Sequence, residues 1–191
     1  MPHTAALLVI DVQNAMVSVA HRPGRTLAVI AGLRERAAAA GVPVVTVQHR
    51  GDGLEPGSEL WRVAPEVAPG DGEPVVHKTG ADSFLGTELD DVLRKLGVTE
   101  VVVTGFATEI CVDTAARQAL SHGYDLLLVA DGHMTSGRPE GSPYAAPDAS
   151  IAHHNEIFRT IRYPGRSVRV LPAADIDFTA PDESTRWPEV R

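Results

Sequence analysis

GVTEVVVTGFATEICVDTAARQALSHGYDLLLVADG, residues 97–132, changes its hydrophobic period twice, and that double change decides the fold. Its first part, EVVVTG at 100–105, is a short apolar and β-branched run of the kind buried on both faces of a parallel sheet. From Thr108 the period lengthens, with Val112, Ala115, Ala116, Ala119 and Leu120 on one helical face and Gly123 where a helix would stop. DLLLV at 125–129 then reads as strand again. A strand, a helix and a second strand in so short a span form a crossover unit, which joins parallel neighbours.

Outward from this unit the same alternation continues. AALLVI, at residues 5–10, is another continuous apolar run ending at the polar group 11–14. Leu27, Ile30, Leu33, Ala37 and Ala40 mark a helix over 27–40 capped by Gly41, and Pro43 introduces a strand at 44–47. The segment 74–76 begins with proline and suits an edge strand that delivers His77 and Lys78 into a loop. A helix carrying Leu89, Val92, Leu93 and Leu96, capped by Ser83 or Thr87, closes at Gly97. Ile151, Ile157, Phe158 and Ile161 form a less regular helical stripe, and SVRVL at 167–171 supplies a sixth strand. The expected fold class is α/β: three α/β/α layers around a mainly parallel six-stranded sheet. Residues 1–178 are read as one domain and 179–191 as a polar tail, mobile or docked through Trp187. Residues 49–73, rich in Gly, Pro and acidic side chains, read as a long surface excursion over a site.

Composition narrows the function classes. The 191 residues carry 25 acidic against 17 basic side chains, a net charge of -8, which argues against an extended nucleic-acid footprint. The arginines around 34–36 and 159–166 read as solvated faces. No apolar stretch reaches the roughly 18 residues needed to span a bilayer, and the short apolar run at the start lacks a basic leader, so no membrane role is expected. A single cysteine permits no internal disulfide and agrees with a reducing, cytoplasmic setting.

In open parallel sheets ligands bind beyond the C-terminal strand ends. Asp11 follows the first strand, Lys78 the third, and Cys111 lies just past the fourth at a helix start. If the first and fourth strands are neighbours, the crevice between Asp11 and Cys111 is the switch point. A helix start and a nearby lysine favour thiolate, while a carboxylate can take the thiol proton and return it to a nitrogen leaving group. Each residue also has a plainer reading: buried small hydrophobe, turn residue and surface charge.

The combination resembles the isochorismatase-like cysteine hydrolases, a family that includes nicotinamidases, N-carbamoylsarcosine amidase and ureidoacrylate or maleamate amidohydrolases. LLVIDVQNAM places the family's carboxylate at Asp11, and the stretch 77–132 matches in order its lysine at Lys78, its serine/phenylalanine element at Ser83 and Phe84, and its nucleophile at Cys111. The likeness runs from about residue 5 to 172. It implies a catalytic triad of Asp11, Lys78 and Cys111 and a thioester intermediate. It also implies a cis bond between Phe106 and Ala107 that aims the N–H groups of Ala107 and Cys111 at an oxyanion; an ordinary trans turn is the other reading. Oligomers are common in the family, so a homodimer or homotetramer is expected.

No cofactor is expected. Nicotinamidases carry an aspartate and several histidines after the second strand to bind metal; VTVQHRGDG offers only His49 and Asp52 before His77, so no metal is assigned. Gln13, Met16, His49, Phe84, Thr108 and His133 are the expected substrate contacts, in a cavity built from loops around 12–22, 49–62, 80–86 and 131–147. The substrate class is a small linear amide, a ureide or carbamoyl compound, or a lactam of the kind that streptothricin hydrolase opens. Two alternatives stand beside the amidase: a vinyl-ether hydrolase of the isochorismatase type, which Cys111 disfavours, and a thiol-reactive ligand-binding protein without turnover.

Overall fold

The computed structural model describes residues 4–51 and 53–179. Six strands, β1 (Ala5–Ile10), β2 (Val44–His49), β3 (Val75–Lys78), β4 (Glu100–Phe106), β5 (Asp125–Met134) and β6 (Val168–Leu171), form one sheet in the order β3-β2-β1-β4-β5-β6. Every strand pair is parallel, so the sheet is wholly rather than mainly parallel. The chain winds from β1 to one edge and returns through β4 to the other. β1 and β4 are therefore the neighbours at which the winding reverses.

The unbroken apolar run of β1 has a simple cause. Leu7 and Val9 face one core and Ala6, Leu8 and Ile10 the other, all with no exposed surface. The first core is closed by α2 (Pro23–Ala39) through Leu27, Ile30, Leu33 and Ala37. The second is closed by α3 (Leu89–Lys95), α4 (Asp113–His122) and α5 (Pro147–Thr160) through residues such as Leu93, Ala116 and Phe158. Three layers result. A short helix, α1 (Asn14–Val19), lies just past β1 and has no counterpart in the sequence reading.

Several strands run further than their sequences suggest: β2 continues past Val47 to His49, β4 takes in Phe106, and β3 and β5 lengthen as well. β3 extends through Lys78, because Val76, His77 and Lys78 keep pairing with Val47, Gln48 and His49. β5 passes through Asp131 and Gly132, which read as a turn, by shifting register against β4 so that His133 meets Gly105 and Met134 meets Phe106. His133 is thus a strand residue, not a loop residue. The N-cap of α3 is Glu88, with no side-chain cap, rather than Ser83 or Thr87; the Thr87 hydroxyl one residue earlier accepts from the Leu89 N–H at 3.2 Å and donates to the Ser83 carbonyl at 2.6 Å. Of the tail 179–191, only Thr179 falls among the described residues; Trp187 lies outside them.

Gly105 of β4 lies against Ile10, its partner on β1. Its φ of +130 disfavours any side chain, and a Cβ there would sit 2.1 Å from the Ile10 carbonyl oxygen. Gly105→Ala is expected to destabilise the fold by about 3 kcal/mol or more. A urea titration should show a correspondingly lower midpoint; an unchanged midpoint would mean that the backbones part without cost.

Candidate active site

The three chemically suggestive residues are brought together at the C-terminal edge of the sheet. Asp11 directly follows β1 in the left-handed region, φ 51, a conformation aspartate tolerates better than most residues. Its N–H is held by the Val47 carbonyl at 2.8 Å, which turns the carboxylate into the β1/β4 crevice. Lys78, the last residue of β3, reaches across β2 with only 2 % of its surface exposed. Its ammonium lies 2.7 Å from Asp11 Oδ2, donates to the Gly80 carbonyl at 2.8 Å and to Cys111 Sγ at 3.3 Å.

Cys111 stands in a single π-helical turn, Thr108–Val112, that runs into α4. The Ala107 carbonyl accepts from the N–H groups of both Ile110 and Val112, at 3.0 and 3.1 Å. The peptide bond between Phe106 and Ala107 is cis, as the family resemblance implies. A widened turn at a strand-to-helix junction is a frequent functional device.

Electrostatics here run against one expectation. Burial and the adjacent Asp11 carboxylate push the Cys111 thiol up to about 11, outweighing the attraction of Lys78, so the thiolate is not preformed. Burial likewise raises Asp11 above the usual carboxylate range, although Lys78 and a hydrogen bond from Cys111 oppose it. Both groups hold protons more firmly than in water. The pair is suited to passing one proton between sulfur and carboxylate rather than to holding a separated thiolate.

The expected substrate contacts divide. His49 is in the site, half-buried, with Nδ1 3.4 Å from Lys78 Nζ. Met16 lies on α1, partly exposed. Gln13 is fully buried and its amide is committed to main chain: it donates to the His49 and Trp61 carbonyls at 2.9 and 2.8 Å and accepts from the His49 N–H at 2.8 Å. Phe84 packs into the core, stacked on His122 with ring centroids 4.6 Å apart. Thr108 and His133, each 1 % exposed, bind one another at 2.9 Å. These four side chains serve the scaffold because their polar or apolar surface is already occupied.

Sequence reasoning missed the partners that hold these residues. Asn155 of α5 donates to the Ala130 carbonyl and so offers its oxygen to His133 Nε2 at 3.0 Å, leaving Nδ1 to accept from Thr108. Glu109, two residues before the cysteine, pairs with Arg138 and accepts from Thr135 at 2.7 Å, joining the π-turn to the segment after β5. Burial pushes Glu109 up, but these hydrogen bonds prevail and hold it below its ordinary range. No single-residue pattern marks such pairs, since each member comes from a different element. Among the described residues no group of three or more His, Cys, Asp or Glu could hold a metal; Asp52 lies outside them.

The same span that carries Asp11, Lys78 and Cys111 matches a known family: the isochorismatase domain model covers residues 5–151. The chain belongs to the isochorismatase family. It is 39% identical over 187 residues to a streptothricin hydrolase of Streptomyces noursei, covering 92% of this chain and 65% of that protein, so the chain spans slightly less than two thirds of that relative. It is 31% identical over 187 residues to a ureidoacrylate amidohydrolase of Methylobacterium radiotolerans, covering 76% of this chain and 72% of that one. A solved isochorismatase of Pseudomonas putida superposes with a TM-score of 0.82 at 25% identity, covering 93% of each chain. This isochorismatase-family chain thus shares the fold over nearly its whole length.

His133 gives a pH test of the scaffold. Burial lowers its pKa from 6.5 to about 4. Above 6.5 the ring is neutral in both folded and unfolded chains; as pH falls the unfolded chain binds the proton first, so stability drops until the folded pKa is passed. The loss between pH 6.5 and 4 amounts to about 3 kcal/mol. His133→Leu should remove that component from urea unfolding free energies measured across the window, while costing about 2 kcal/mol at pH 7 for the unpaired Thr108 and Asn155.

Proposed function

We propose that the chain is a cysteine hydrolase that cleaves a C–N bond in a small amide, carbamoyl compound or lactam. The observation that carries this reading is the Lys78 ammonium lying 2.7 Å from Asp11 and 3.3 Å from Cys111 at the switch point of the sheet. Relatives named as streptothricin hydrolase and ureidoacrylate amidohydrolase support it.

The chemistry follows from the proton affinities. A substrate carbonyl enters the crevice; Sγ forms a bond to its carbon as the thiol proton passes to Asp11, whose raised pKa matches it to that task. The carbonyl oxygen becomes an oxyanion, for which the N–H groups of Ala107 and Cys111, beside Phe106, are the proposed donors. Asp11 then protonates the nitrogen, the C–N bond breaks, and a thioester remains. Water attacks the thioester while giving a proton to Asp11, and the acid leaves as the thiol re-forms. Lys78 stays charged throughout and offsets the negative charge that moves between carboxylate and sulfur.

His49 and Met16 are the proposed substrate contacts, being the partly exposed members of the expected set. A homodimer or homotetramer is carried over from the family resemblance. Among the described residues no helix is long and apolar enough to cross a membrane.

A panel of amides, ureides and lactams, with acid and amine products quantified separately, tests the function. Equal amounts of acid and amine are expected from at least one class. C111A, D11N and K78M should each lose at least about a thousandfold in kcat/KM, and by similar amounts, since they act as a unit. Cleavage that survives C111A would instead point to vinyl-ether chemistry or to water attack without a covalent intermediate. Covalent trapping at Cys111 without turnover would leave a ligand-binding protein.

A further inference from the structure

Asp11 and Cys111 come from different parts of the chain, one directly after β1 and the other from the turn after β4. The Lys78 ammonium bridges them, 2.7 Å from Asp11 Oδ2 and 3.3 Å from the sulfur. A sulfur contact of that length fixes a side chain loosely. Val112 roots the far end of the turn in the core, and Ile110 is 48 % exposed, so the near end is left to Thr108 and Glu109. Thr108 is held by the buried His133; Glu109 is held by charge.

The Glu109 carboxylate is gripped by three side chains. Oε1 pairs with the Arg138 guanidinium and accepts from the Thr135 hydroxyl at 2.7 Å, and Oε2 accepts from the Ser150 hydroxyl, on α5, at 3.4 Å. The pair is no loose surface contact, since the Arg138 and Glu109 side chains are 11 % and 14 % exposed. Arg138 is itself fixed: it donates to Ser136 Oγ and to the Ala145 carbonyl at 3.3 Å, and it lies over the Tyr144 ring, 4.8 Å from the centroid. The residues just before it are stitched to the end of α1, with the His21 N–H on the Thr135 carbonyl and the Gly137 N–H on the Val19 carbonyl, both at 2.8 Å. α1 in turn begins at Asn14, close behind Asp11. These contacts close a ring that runs from Asp11 through α1, residues 135–138, Glu109 and Cys111, and back through Lys78.

We propose that Glu109 is a positioning residue: its clamp to Arg138, Thr135 and Ser150 ties the nucleophile turn to the α1 side of the crevice and, independently of Lys78, sets the reach of Cys111 to Asp11. This assignment rests on the cysteine-hydrolase reading of the site. Passing a proton from sulfur to carboxylate needs the two within hydrogen-bond reach, so a turn released from its clamp slows the chemical step. The charged groups facing the sulfur are Asp11 from β1 and Lys78 from β3. Burial and the Asp11 carboxylate hold its proton affinity high, and both influences weaken as the turn moves out. Releasing the clamp therefore makes the thiol more acidic and the reaction slower, two effects that a plain loss of stability does not couple.

Alkylation of the full chain by iodoacetamide across pH reads the thiol without any substrate, and the chain has one cysteine, so the signal belongs to Cys111 alone. E109A is expected to move the profile about half a pH unit or more toward acid, raising the rate at pH 8 about threefold or more. On the amide that the native chain cleaves best, the same variant should lose about tenfold or more in kcat, with KM within about threefold of native. E109A/R138A should match E109A within about twofold in both measurements, because the second removal breaks a contact already lost. If E109A fails to fold, R138A tests the same shift from the other end of the pair. A lower urea midpoint with an alkylation profile that superimposes on the native one overturns the proposal, and so does a double variant whose effects are the sum of the single ones. Amide cleavage surviving in C111A would sink the cysteine-hydrolase reading while leaving the alkylation result unchanged, so the two failures are distinguishable.

Discussion

The arrangement depends on one buried cation. Lys78 ranks among the bulkiest side chains with almost no exposed surface, and an unpaired ammonium in that setting would cost several kcal/mol. Asp11 must therefore stand beside it, and the Gly80 carbonyl must point inward. Because lysine reaches from β3 across β2 to β1, the pairing also fixes the mutual placement of three strand ends. The thiol meets a charged pair whose position the fold has already determined.

That pair explains why the thiol is not activated in advance. A carboxylate and an ammonium so close together present little net charge to the sulfur, and burial then dominates its proton affinity. In the proposed reaction, activation waits for a substrate carbonyl, whose developing oxyanion needs no free thiolate beforehand. A resting thiol is also less open to oxidation than a thiolate would be. The proposed reaction then requires proton transfer and attack to occur in concert, which places the geometric demand on Asp11 and on the turn that carries Cys111.

Much of the fold was legible because β1, β4 and α2 bury apolar residues in recognisable patterns: AALLVI suits a strand covered on both faces, and the spacing of Leu27, Ile30 and Leu33 suits one helical face. The positions of Asp11, Lys78 and Cys111 at strand ends followed from the same periods joined to the family motifs. The extension of β5 was hidden because Asp131 and Gly132 carry a turn signature, and only the register shift at Gly105 lets the strand continue. The short helix α1 was hidden because it buries no residue fully and so leaves no hydrophobic stripe. The burial of Gln13, Phe84, Thr108 and His133 was hidden for a related reason: a polar or aromatic residue near a site has the same letter whether it faces ligand or a neighbouring backbone. Only the partners Trp61, His122 and Asn155 decide between these, and they are distant in sequence.

The Gln13 amide leads to one further consequence. It grips the long excursion after β2 only at main-chain atoms, at His49 where the excursion departs and at Trp61 where it returns, and Gln48 adds a second bond to the same Trp61 carbonyl. Fastenings of that kind are blind to side-chain identity. Exposed side chains between the two anchors, such as Glu55, can consequently change without loosening these fastenings, whereas Gly53 and Gly57 are held to glycine by their positive φ. Diversity within such a scaffold would then accumulate in the excursion, while its two anchors stay the same.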